Sequence, residues 1–506
     1  MTNHDDMHTS AESFSVYKGA GAYYNAGSLM KIAGAQGIRQ AEQAAFAAGR
    51  ATPSGLMDAV VARLCGMVTC TPRRVVAYIG RGNNGGDAVG LAAAFACPVI
   101  LRHPGEKFEV SAETQRQLDR ARHMEVSATA PEAEADTLII DGLLGSGAHG
   151  ELRGDYAACV REMNALRLGA PRCRTLAIDI PTGLGTGVCV QADATAAIGC
   201  VKPEMLVDGA EDSVGRLHCI PLPEVDIPAD CADTVLEPLH PLCRLPRRPY
   251  SLFKNRAGRV AIVAGSIGYL GAAQMCAEAA VQTGAGLVAL YCHEDAYPLL
   301  AARVVPEVMV RPVKSYAEIS EPDAQCLLMG PGLGAVEGAE ADALHALAMG
   351  FRGTVVLDAD ALNLAAARGW EFHERCILTP HPGEMRRLDP RPAPTRREVV
   401  RRFLERHDCT LLLKGARTIV ANRTHACYNG TGGPFMANGG QGDTLSGCIA
   451  ALAAQGLPPL HAAALGAYAC GLAAEMAHAR DGAPAVSACQ VCAALPRALG
   501  SLHPCA

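Results

Sequence analysis

Residues 429–447 read NGTGGPFMANGGQGDTLSG, a glycine-dense stretch that precedes an apolar run. The pattern predicts a loop that enters a helix near Thr444. Glycine backbone can approach a ligand closely, and the first N–H groups of a helix attract anions, so the stretch is typical of a phosphate site. Asp443 lies at the mouth of this site, where an acidic residue suits a base better than an anion ligand. The alternative is that Asp443 caps the helix.

Length and composition favour two large α/β domains or three smaller ones. The chain has 506 residues, of which 49% are hydrophobic and only 4% aromatic. A core of small aliphatic side chains suits helices packed on parallel sheets. The net charge of −6 provides no basic field, so we expect neither nucleic acid nor a membrane as a partner.

The 21 cysteines are scattered along the chain. Only Cys489 and Cys492 form a C-x-x-C pair, and no second pair accompanies them, which argues against a zinc site. The first ten residues contain His4, Asp5 and Asp6 and no apolar core, so they do not form a secretory signal. We therefore expect reduced thiols and a cytoplasmic protein.

Three short apolar runs in the first half have the pattern of buried strands: 74–79, 137–140 and 175–178. Each ends in a glycine-rich or acidic turn, and these turns supply Asn84, Asp141, Asp179 and Thr182. In an open parallel sheet such turns share the rim where ligands bind. Amide oxygens such as that of Asn84 can also ligate a hard cation. The alternative for each aspartate is a cap on the following helix.

A proline-rich segment separates the two halves, with seven prolines between residues 219 and 249. We predict an irregular extension over 1–34, a first domain over 35–222, a linker over 223–248 and a second domain over 249–506. Strand-like runs at 259–264, 286–291, 327–329, 354–357, 376–378 and 410–413 alternate with helical stretches, which predicts a second doubly wound sheet. The chain contains no G-x-x-x-x-G-K-S/T, so a Walker-type nucleotide site is excluded.

Taken together, these segments resemble two known families. Residues 82–87, 141–147 and 177–183 resemble the NAD(P)H-hydrate epimerase domain. Residues 330–334, 358–363, 378–384, 414–418 and 439–447 resemble the ADP-dependent NAD(P)H-hydrate dehydratase domain of the ribokinase-like superfamily. The resemblance implies an N-terminal Rossmann-like αβα sandwich and a C-terminal ribokinase-like αβα domain. It also implies metabolite repair: epimerisation of the R and S hydrates of NADH and NADPH, and ADP-dependent dehydration of the S hydrate to NAD(P)H, AMP and phosphate.

The resemblance implies a role for each residue of the two sites. The catalytic residues would be Asp443 and Asp179. The potassium ligands would be Asn84, Asp141 and Thr182. In the first domain the hydrate would contact Asn83, Asn84, Gly85, Gly86, Asp87, Gly145, Ser146, Gly147 and Asp179. In the second domain it would contact Ala272, Gly332, His381 and Asp443. The adenine nucleotide would contact Lys414, Gly415, Ala416, Arg417, Thr418 and Gly442.

The implied cofactors are K⁺ in the epimerase domain and Mg²⁺, with ADP as the phosphoryl donor. The implied partners are the small-molecule substrates NADHX, NADPHX and ADP, and we expect a homo-oligomer. The alternative is a ribokinase-like kinase for a small vitamin precursor, with the first half as a non-catalytic binding module. Regeneration of NADH rather than a stable phosphorylated alcohol would distinguish the two.

Overall fold

The computed structural model describes residues 30–105, 109–148, 150–238, 240–320 and 322–502. Residues 1–29, which form most of the predicted N-terminal extension, lie outside this part of the chain. The described chain contains two mainly parallel β-sheets, of seven and eleven strands. The predicted fold class, two doubly wound α/β domains, is confirmed.

The helices and strands are numbered in chain order. The strands are β1 (Met30–Lys31), β2 (Arg74–Ile79), β3 (Val99–Arg102), β4 (Glu125–Ser127), β5 (Thr137–Gly142), β6 (Arg174–Ile178), β7 (Ala194–Ile198), β8 (Arg216–Ile220), β9 (Thr234–Val235), β10 (Arg259–Val263), β11 (Leu287–His293), β12 (Val308–Val313), β13 (Cys326–Met329), β14 (Thr354–Leu357), β15 (Cys376–Leu378), β16 (Thr410–Leu413), β17 (Ile419–Ala421) and β18 (Ala426–Tyr428). The helices are α1 (Ala35–Ala47), α2 (Pro53–Met67), α3 (Asn83–Ala92), α4 (Ala112–Arg120), α5 (Gly154–Gly169), α6 (Glu211–Val214), α7 (Leu270–Gln282), α8 (Tyr297–Ala301), α9 (Gly338–Gly350), α10 (Asp360–Arg368), α11 (Pro382–Leu388), α12 (Arg396–Arg406), α13 (Gln441–Ala454), α14 (Pro459–Asp481) and α15 (Ala488–Ser501).

Each sheet has a topological switch point. The first sheet has the order β4-β3-β2-β5-β6-β7-β8, so the strand order reverses between β2 and β5. In the second sheet, β10 lies between β11 and β13, and the order reverses there. The crevice at the carboxyl ends of the strands beside such a reversal is where open α/β sheets bind ligands.

Alternating side chains place an apolar core on each face of the sheets. In β2, Val75 and Ala77 belong to a cluster with α1 to α4, whereas Val76 and Tyr78 belong to a cluster with α5. In β10, Val260 and Ile262 pack with α7, α13, α14 and α15, whereas the other face packs with α9 to α12. Both sheets are therefore middle layers of αβα sandwiches.

One apolar cluster joins the two halves of the molecule. It contains Ala197, Leu217 and Cys219 from β7 and β8 together with residues of the second sheet such as Val263 and Leu357. The outer face of the β7–β8 edge is therefore covered by the second half of the chain, and the two cores are continuous.

Two short strands lie within segments for which the sequence predicts no regular structure. The extension predicted over 1–34 ends in β1, where Met30 pairs with Val235, and the linker predicted over 223–248 contains β9. Strands of two residues are too short to show an alternating pattern in the sequence. They form because β9 also pairs with β18, which adds both strands to the edge of the second sheet. The domain boundaries themselves stay predictions.

Two helices begin earlier than predicted. The helix expected near Thr444 begins at Gln441, after Gly440 turns the chain with a φ of 89°. The helix expected from Ala88 begins at Asn83. In both places glycines interrupt the apolar pattern, and packing of the helix on the sheet outweighs their low helix propensity. Within the described ranges, no helix is both long and apolar enough to cross a bilayer.

Candidate active sites

The carboxylate of Asp443 lies in the first turn of α13, at the carboxyl end of the second sheet. Asp443 is the third residue of the helix, and Gly440 occupies the cap position. The alternative that Asp443 caps the helix is therefore wrong. Burial, together with the nearby carboxylate of Asp358, raises the pKa of Asp443 to about 6. A carboxylate with a pKa near the operating pH is suited to general-base catalysis.

A lysine cation lies beside this helix terminus. The Nζ of Lys414, directly after β16, is 2.9 Å from Oδ1 of Asp358 and 3.8 Å from Oε2 of Glu384. Burial alone would lower the pKa of Lys414, but the two carboxylates outweigh burial and raise it. A Cβ added to Gly442 would lie 3.4 Å from that Nζ, so the charge of Lys414 lies against the turn that carries Asp443.

Two of the predicted hydrate contacts of the second domain lie together. Gly332, with a φ of 62°, approaches α7 so closely that an added Cβ would lie 3.1 Å from the Cβ of Ala272. Both residues are at the switch point of the second sheet. His381 caps the N-terminus of α11, where its Nδ1 accepts a hydrogen bond of 2.9 Å from the N–H of Gly383. Its Nε2 is 3.5 Å from Glu384, which also contacts Lys414.

The predicted nucleotide loop, residues 414–418, is only partly open to a ligand. Gly415 and Ala416 are exposed, and the hydroxyl of Thr418 closes the turn with a 2.9 Å hydrogen bond to the carbonyl of Gly415. The guanidinium of Arg417 donates instead to the carbonyl of Gly215 in the first domain. The part of Arg417 left for a nucleotide is therefore its backbone.

Asp179 is the centre of the first site. It follows β6 with a φ of 67°, a left-handed conformation that is uncommon for a residue with a side chain. Its Oδ2 accepts a 2.8 Å hydrogen bond from the N–H of Ser146, and its Oδ1 pairs with the buried ammonium of Lys202. Burial alone would raise the pKa of Asp179, but Lys202 outweighs burial and lowers it.

The predicted potassium ligands lie at the same rim. Both oxygens of Asp141 contact Thr182: Oδ1 accepts from its hydroxyl at 2.7 Å and Oδ2 from its N–H at 2.8 Å. Burial raises the pKa of Asp141 to about 6. Gly145 joins this group to Asn84, because a Cβ added to Gly145 would lie 3.0 Å from Oδ2 of Asp179 and 3.6 Å from the Cβ of Asn84.

The glycines of the first loop serve packing more than ligand contact. A Cβ added to Gly85 would lie 2.2 Å from the carbonyl oxygen of Gly80, and a Cβ added to Gly86 would lie 2.6 Å from the side chain of Met57. Both glycines are buried. Asn83 and Gly147 are exposed and face solvent at the rim. A dinucleotide there would contact Asn83 and Gly147 rather than the two buried glycines.

Comparison with known proteins shows that both sites lie in regions matched by family models. A family model described as YjeF-related protein N-terminus matches residues 28–204, and one described as NAD(P)H-hydrate dehydratase matches residues 260–497. The bifunctional NAD(P)H-hydrate repair enzyme of Leishmania major is 36% identical over 507 residues, which cover 88% of this chain and 89% of that protein. The chain belongs to the family of bifunctional NAD(P)H-hydrate repair enzymes.

Other members of the NAD(P)H-hydrate repair family align over a similar length. The Escherichia coli K12 enzyme is 34% identical over 454 residues, which cover 84% of this chain and 85% of that protein. A solved structure of the ADP/ATP-dependent NAD(P)H-hydrate dehydratase from Bacillus subtilis, co-crystallized with ATP and Mg²⁺, is 26% identical, with a TM-score of 0.47, and covers 53% of this chain and 98% of that one.

Sequence reasoning missed two charged residues at the first site of this NAD(P)H-hydrate repair family member. Lys202 has a side chain only 1% exposed, and besides Asp179 it donates to the carbonyls of Ile198 at 2.8 Å and Cys200 at 3.1 Å. Glu42 on α1 is close enough for Asp179 to raise its pKa, although burial is the larger cause. Lys202 lies four residues after the end of β7, whose alanine-rich sequence does not predict a strand, so no local signal marked this lysine.

Asp87 completes the set of charges at the first site. It is 8% exposed, and burial, with a smaller contribution from Asp179 and Glu42, raises its pKa well above the ordinary value. The first site therefore holds one carboxylate whose pKa is lowered, Asp179, and three whose pKa is raised, Glu42, Asp87 and Asp141. Such a split is the usual arrangement for an acid and a base that act in one site.

Proposed function

We propose that the second domain converts the S hydrate of NADH or NADPH back to the reduced cofactor with ADP as phosphoryl donor. We further propose that the first domain interconverts the R and S hydrates. The observation that carries the proposal is Asp443: a carboxylate with a raised pKa, at a helix N-terminus, beside the cationic Lys414. Family membership supplies the substrate class.

The dehydration would proceed in two steps. Asp443 takes the proton of the hydrate hydroxyl, whose oxygen bonds to the terminal phosphorus of ADP while the bond to AMP breaks. The electron pair of the ring nitrogen then expels phosphate, and loss of a proton from the neighbouring carbon restores the ring double bond. The N–H groups at the start of α13 and the ammonium of Lys414 stabilise the charge on the transferred phosphoryl group.

The charge balance of the second site suits a magnesium ion. Besides burial, the carboxylates of Asp358 and Asp360 raise the pKa of Asp443, which indicates excess negative charge. Mg²⁺ is commonly bound through one or two carboxylates and substrate phosphates, and these aspartates would hold it. When bound, it would neutralise charge on the phosphates of ADP.

Epimerisation requires that the carbon carrying the hydroxyl loses water from one face and regains water on the other. Asp87 and Glu42, whose pKa values are raised, suit the acid that protonates the departing oxygen. Asp179 is held as a carboxylate by Lys202 and suits the base that takes a proton from the entering water. Lys202 positions Asp179 through the ion pair and two backbone carbonyls.

The donor set of the first site suits potassium. Asp141 is fully buried, and among the described residues no lysine or arginine forms an ion pair with it. Of the two polar atoms of the Asn84 amide, Oδ1 is the one that can ligate a cation, because Nδ2 only donates. Asn84, Asp141 and Thr182 would hold the ion, and a bound K⁺ would stabilise the charged form of Asp141.

We also propose a cytoplasmic location and a homo-oligomer. None of the twenty described cysteines forms a disulfide, which is usual in a reducing compartment. Exposed apolar side chains next to the second site, Ile267 at 66% and Tyr269 at 62%, favour contact with a second copy. Light scattering on the purified protein would measure the oligomeric state, and a monomer at micromolar concentration would contradict this part of the proposal.

The decisive experiment follows the absorbance of reduced nicotinamide after the protein is mixed with both hydrate epimers, ADP, Mg²⁺ and K⁺. The wild-type protein is expected to restore all of the absorbance. Asp443→Asn is expected to slow recovery at least about 10²-fold, because it removes the base. Asp179→Asn is the matched control, for which recovery is expected to stop once the S epimer is consumed. A stable phosphorylated product without recovered absorbance would support the kinase alternative.

A further inference from the structure

The nucleotide loop of the second domain is held in a strained conformation. Gly415 has a φ of 148° and Arg417 a φ of 55°. A non-glycine residue persists in the left-handed region only when surrounding contacts hold it there. The contacts that hold Arg417 come from the first domain.

The side chain of Arg417 is inserted into the first domain. Its guanidinium donates to the carbonyl of Gly215, between α6 and β8, and its Nε is buried without a hydrogen-bond partner in the described chain. Burial, together with the neighbouring charge of Arg216, lowers the pKa of Arg417 to about 10. Burial of a cation costs solvation free energy, so Arg417 needs the contacts that it makes in the first domain. These contacts fix the direction in which the loop leaves β16.

A second arginine connects the same loop to the first domain. A Cβ added to Gly415 would lie 2.7 Å from Nη1 of Arg396, so this guanidinium lies against the loop backbone. Arg396 pairs with Asp208 at 2.5 Å and with Glu211 at 3.1 Å. Asp208 also accepts a 2.8 Å hydrogen bond from the backbone N–H of Arg396. A carboxylate of the first domain thus pairs one of the N–H groups in the first turn of α12, which have no partner within the helix.

The glycine-dense stretch is connected to the first domain in a similar way. Arg216, at the start of β8, pairs with Glu475 of α14 at 3.2 Å. The Oε1 of Glu475 accepts a 2.8 Å hydrogen bond from the N–H of Gly432. Residues 208–216 of the first domain therefore reach both loops that flank the proposed nucleotide site.

We infer that residues 208–216 of the first domain support the adenine-nucleotide site of the second domain. Asp208, Arg396 and Arg417 are positioning residues: they hold the loop 414–418 in its binding conformation without contacting the hydrate. The dehydratase thus depends on the epimerase domain for nucleotide affinity. This inference rests on the proposed function, because it takes residues 414–418 as the nucleotide loop.

The test compares Asp208→Asn with the wild-type protein in the full-length chain. The substitution removes one of the two carboxylate charges that hold Arg396, at the shorter of its two ion pairs, but touches neither proposed site. The KM for ADP and the Kd for ADP from titration calorimetry are expected to rise about three- to thirtyfold. The kcat of dehydration and the epimerisation rate are expected to stay within twofold. Arg396→Lys, which keeps the charge but loses the forked geometry, is expected to give an intermediate Kd.

Asp233→Asn is the matched control. Asp233 pairs at 2.6 Å with Arg397, the next residue of α12, and its side chain is more buried than that of Asp208, with 13% against 37% exposed. Its loss is expected to leave the Kd for ADP unchanged. Equal increases in the Kd for Asp208→Asn and Asp233→Asn would mean general loosening of the interface and would overturn the inference, as would an unchanged Kd in Asp208→Asn.

The calorimetric Kd separates this inference from the proposed function. A wild-type protein that binds ADP but restores no NADH, with the expected difference between the two variants, would sink the proposed dehydration and leave the inference standing. A wild-type protein that binds no ADP would overturn both.

Discussion

The two proposed sites each pair an aspartate with a lysine, but the lysines act on different groups. Lys202 contacts Asp179 directly and lowers its pKa. Lys414 pairs with Asp358 rather than with Asp443. The lysine charge therefore stabilises the Asp443 carboxylate less, and Asp443 keeps a pKa of about 6. One aspartate is therefore fixed as a carboxylate, and the other changes charge near neutral pH.

The raised pKa of Asp443 predicts the pH dependence of dehydration. The base acts as the carboxylate, which predominates above its pKa of about 6, so kcat/KM should be constant above pH 7 and fall about tenfold per unit below pH 6. Initial rates at saturating Mg²⁺ would measure this, with epimerisation in the same buffers as the control. A rate that is flat down to pH 5 would show that Asp443 is not the base.

Removal of Lys202 should move the pH profile of epimerisation. Without the ammonium, burial raises the pKa of Asp179, so the carboxylate forms only at higher pH. Lys202→Met is expected to lower the rate at pH 7 by about 10²-fold and to recover part of it near pH 9. Dehydration of the pure S hydrate serves as the internal control. A uniform loss at every pH would indicate a structural role only.

The sequence predicted the site residues that follow recognisable strands, and it missed those that do not. Asp179 was found because residues 175–178 form a typical buried strand. Lys202 follows β7, which reads Ala-Thr-Ala-Ala-Ile, and alanine has a low strand preference. Without a predicted strand, nothing placed Lys202 at the rim. The side chain of Arg417 points into the first domain because of contacts with that domain. The sequence around Arg417 gives no sign of this orientation.

At the scale of elements, the position of Asp443 depends on how closely α13 packs on α7. A Cβ added to Gly447 would lie 2.1 Å from the carbonyl oxygen of Cys276. The same helices carry Asp443 and Ala272, so this close approach sets the distance between the proposed base and the hydrate. Glycine in the stretch 429–447 thus has a packing role as well as the ligand role that the sequence suggested.

Gly447→Ala should separate the two helices. The added methyl group meets backbone that can only move with its helix, so we expect a loss of about 1–3 kcal/mol in the free energy of unfolding, together with a lower dehydration rate. Urea denaturation would measure the loss. Gly500→Ala is the control, since the exposed Gly500 in α15 has open space around its Cβ position and should gain about 0.4–1 kcal/mol. Equal stabilities for the two variants would contradict the close packing.

At the scale of the whole molecule, the two domains share one apolar core. The cluster that contains Leu217 and Val263 crosses from one sheet to the other, and β1 and β9 add residues from the first half and the linker to the edge of the second sheet. Separation of the domains would expose this surface to water, so neither half is independent of the other.

We therefore expect the protein to unfold in one cooperative transition. Scanning calorimetry should give a single peak, with a van't Hoff enthalpy close to the calorimetric enthalpy. The loss of both activities on heating should follow the same curve. Two resolved peaks, or epimerisation that survives after dehydration is lost, would show that the domains unfold separately.

The long-range pairing of β1 with β9, and of β9 with β18, has a consequence during synthesis. Residues 234–235 leave the ribosome well before residues 426–428, and at ordinary translation rates the interval is about 10–40 s. Throughout that time β9 lacks its partner β18, so the β1–β9 pair has no sheet to join, and the apolar β7–β8 face has nothing to cover it. Chaperones that bind extended apolar segments should occupy the nascent chain during this interval and leave it once β18 emerges. Selective profiling of chaperone-bound ribosomes would locate the point of release.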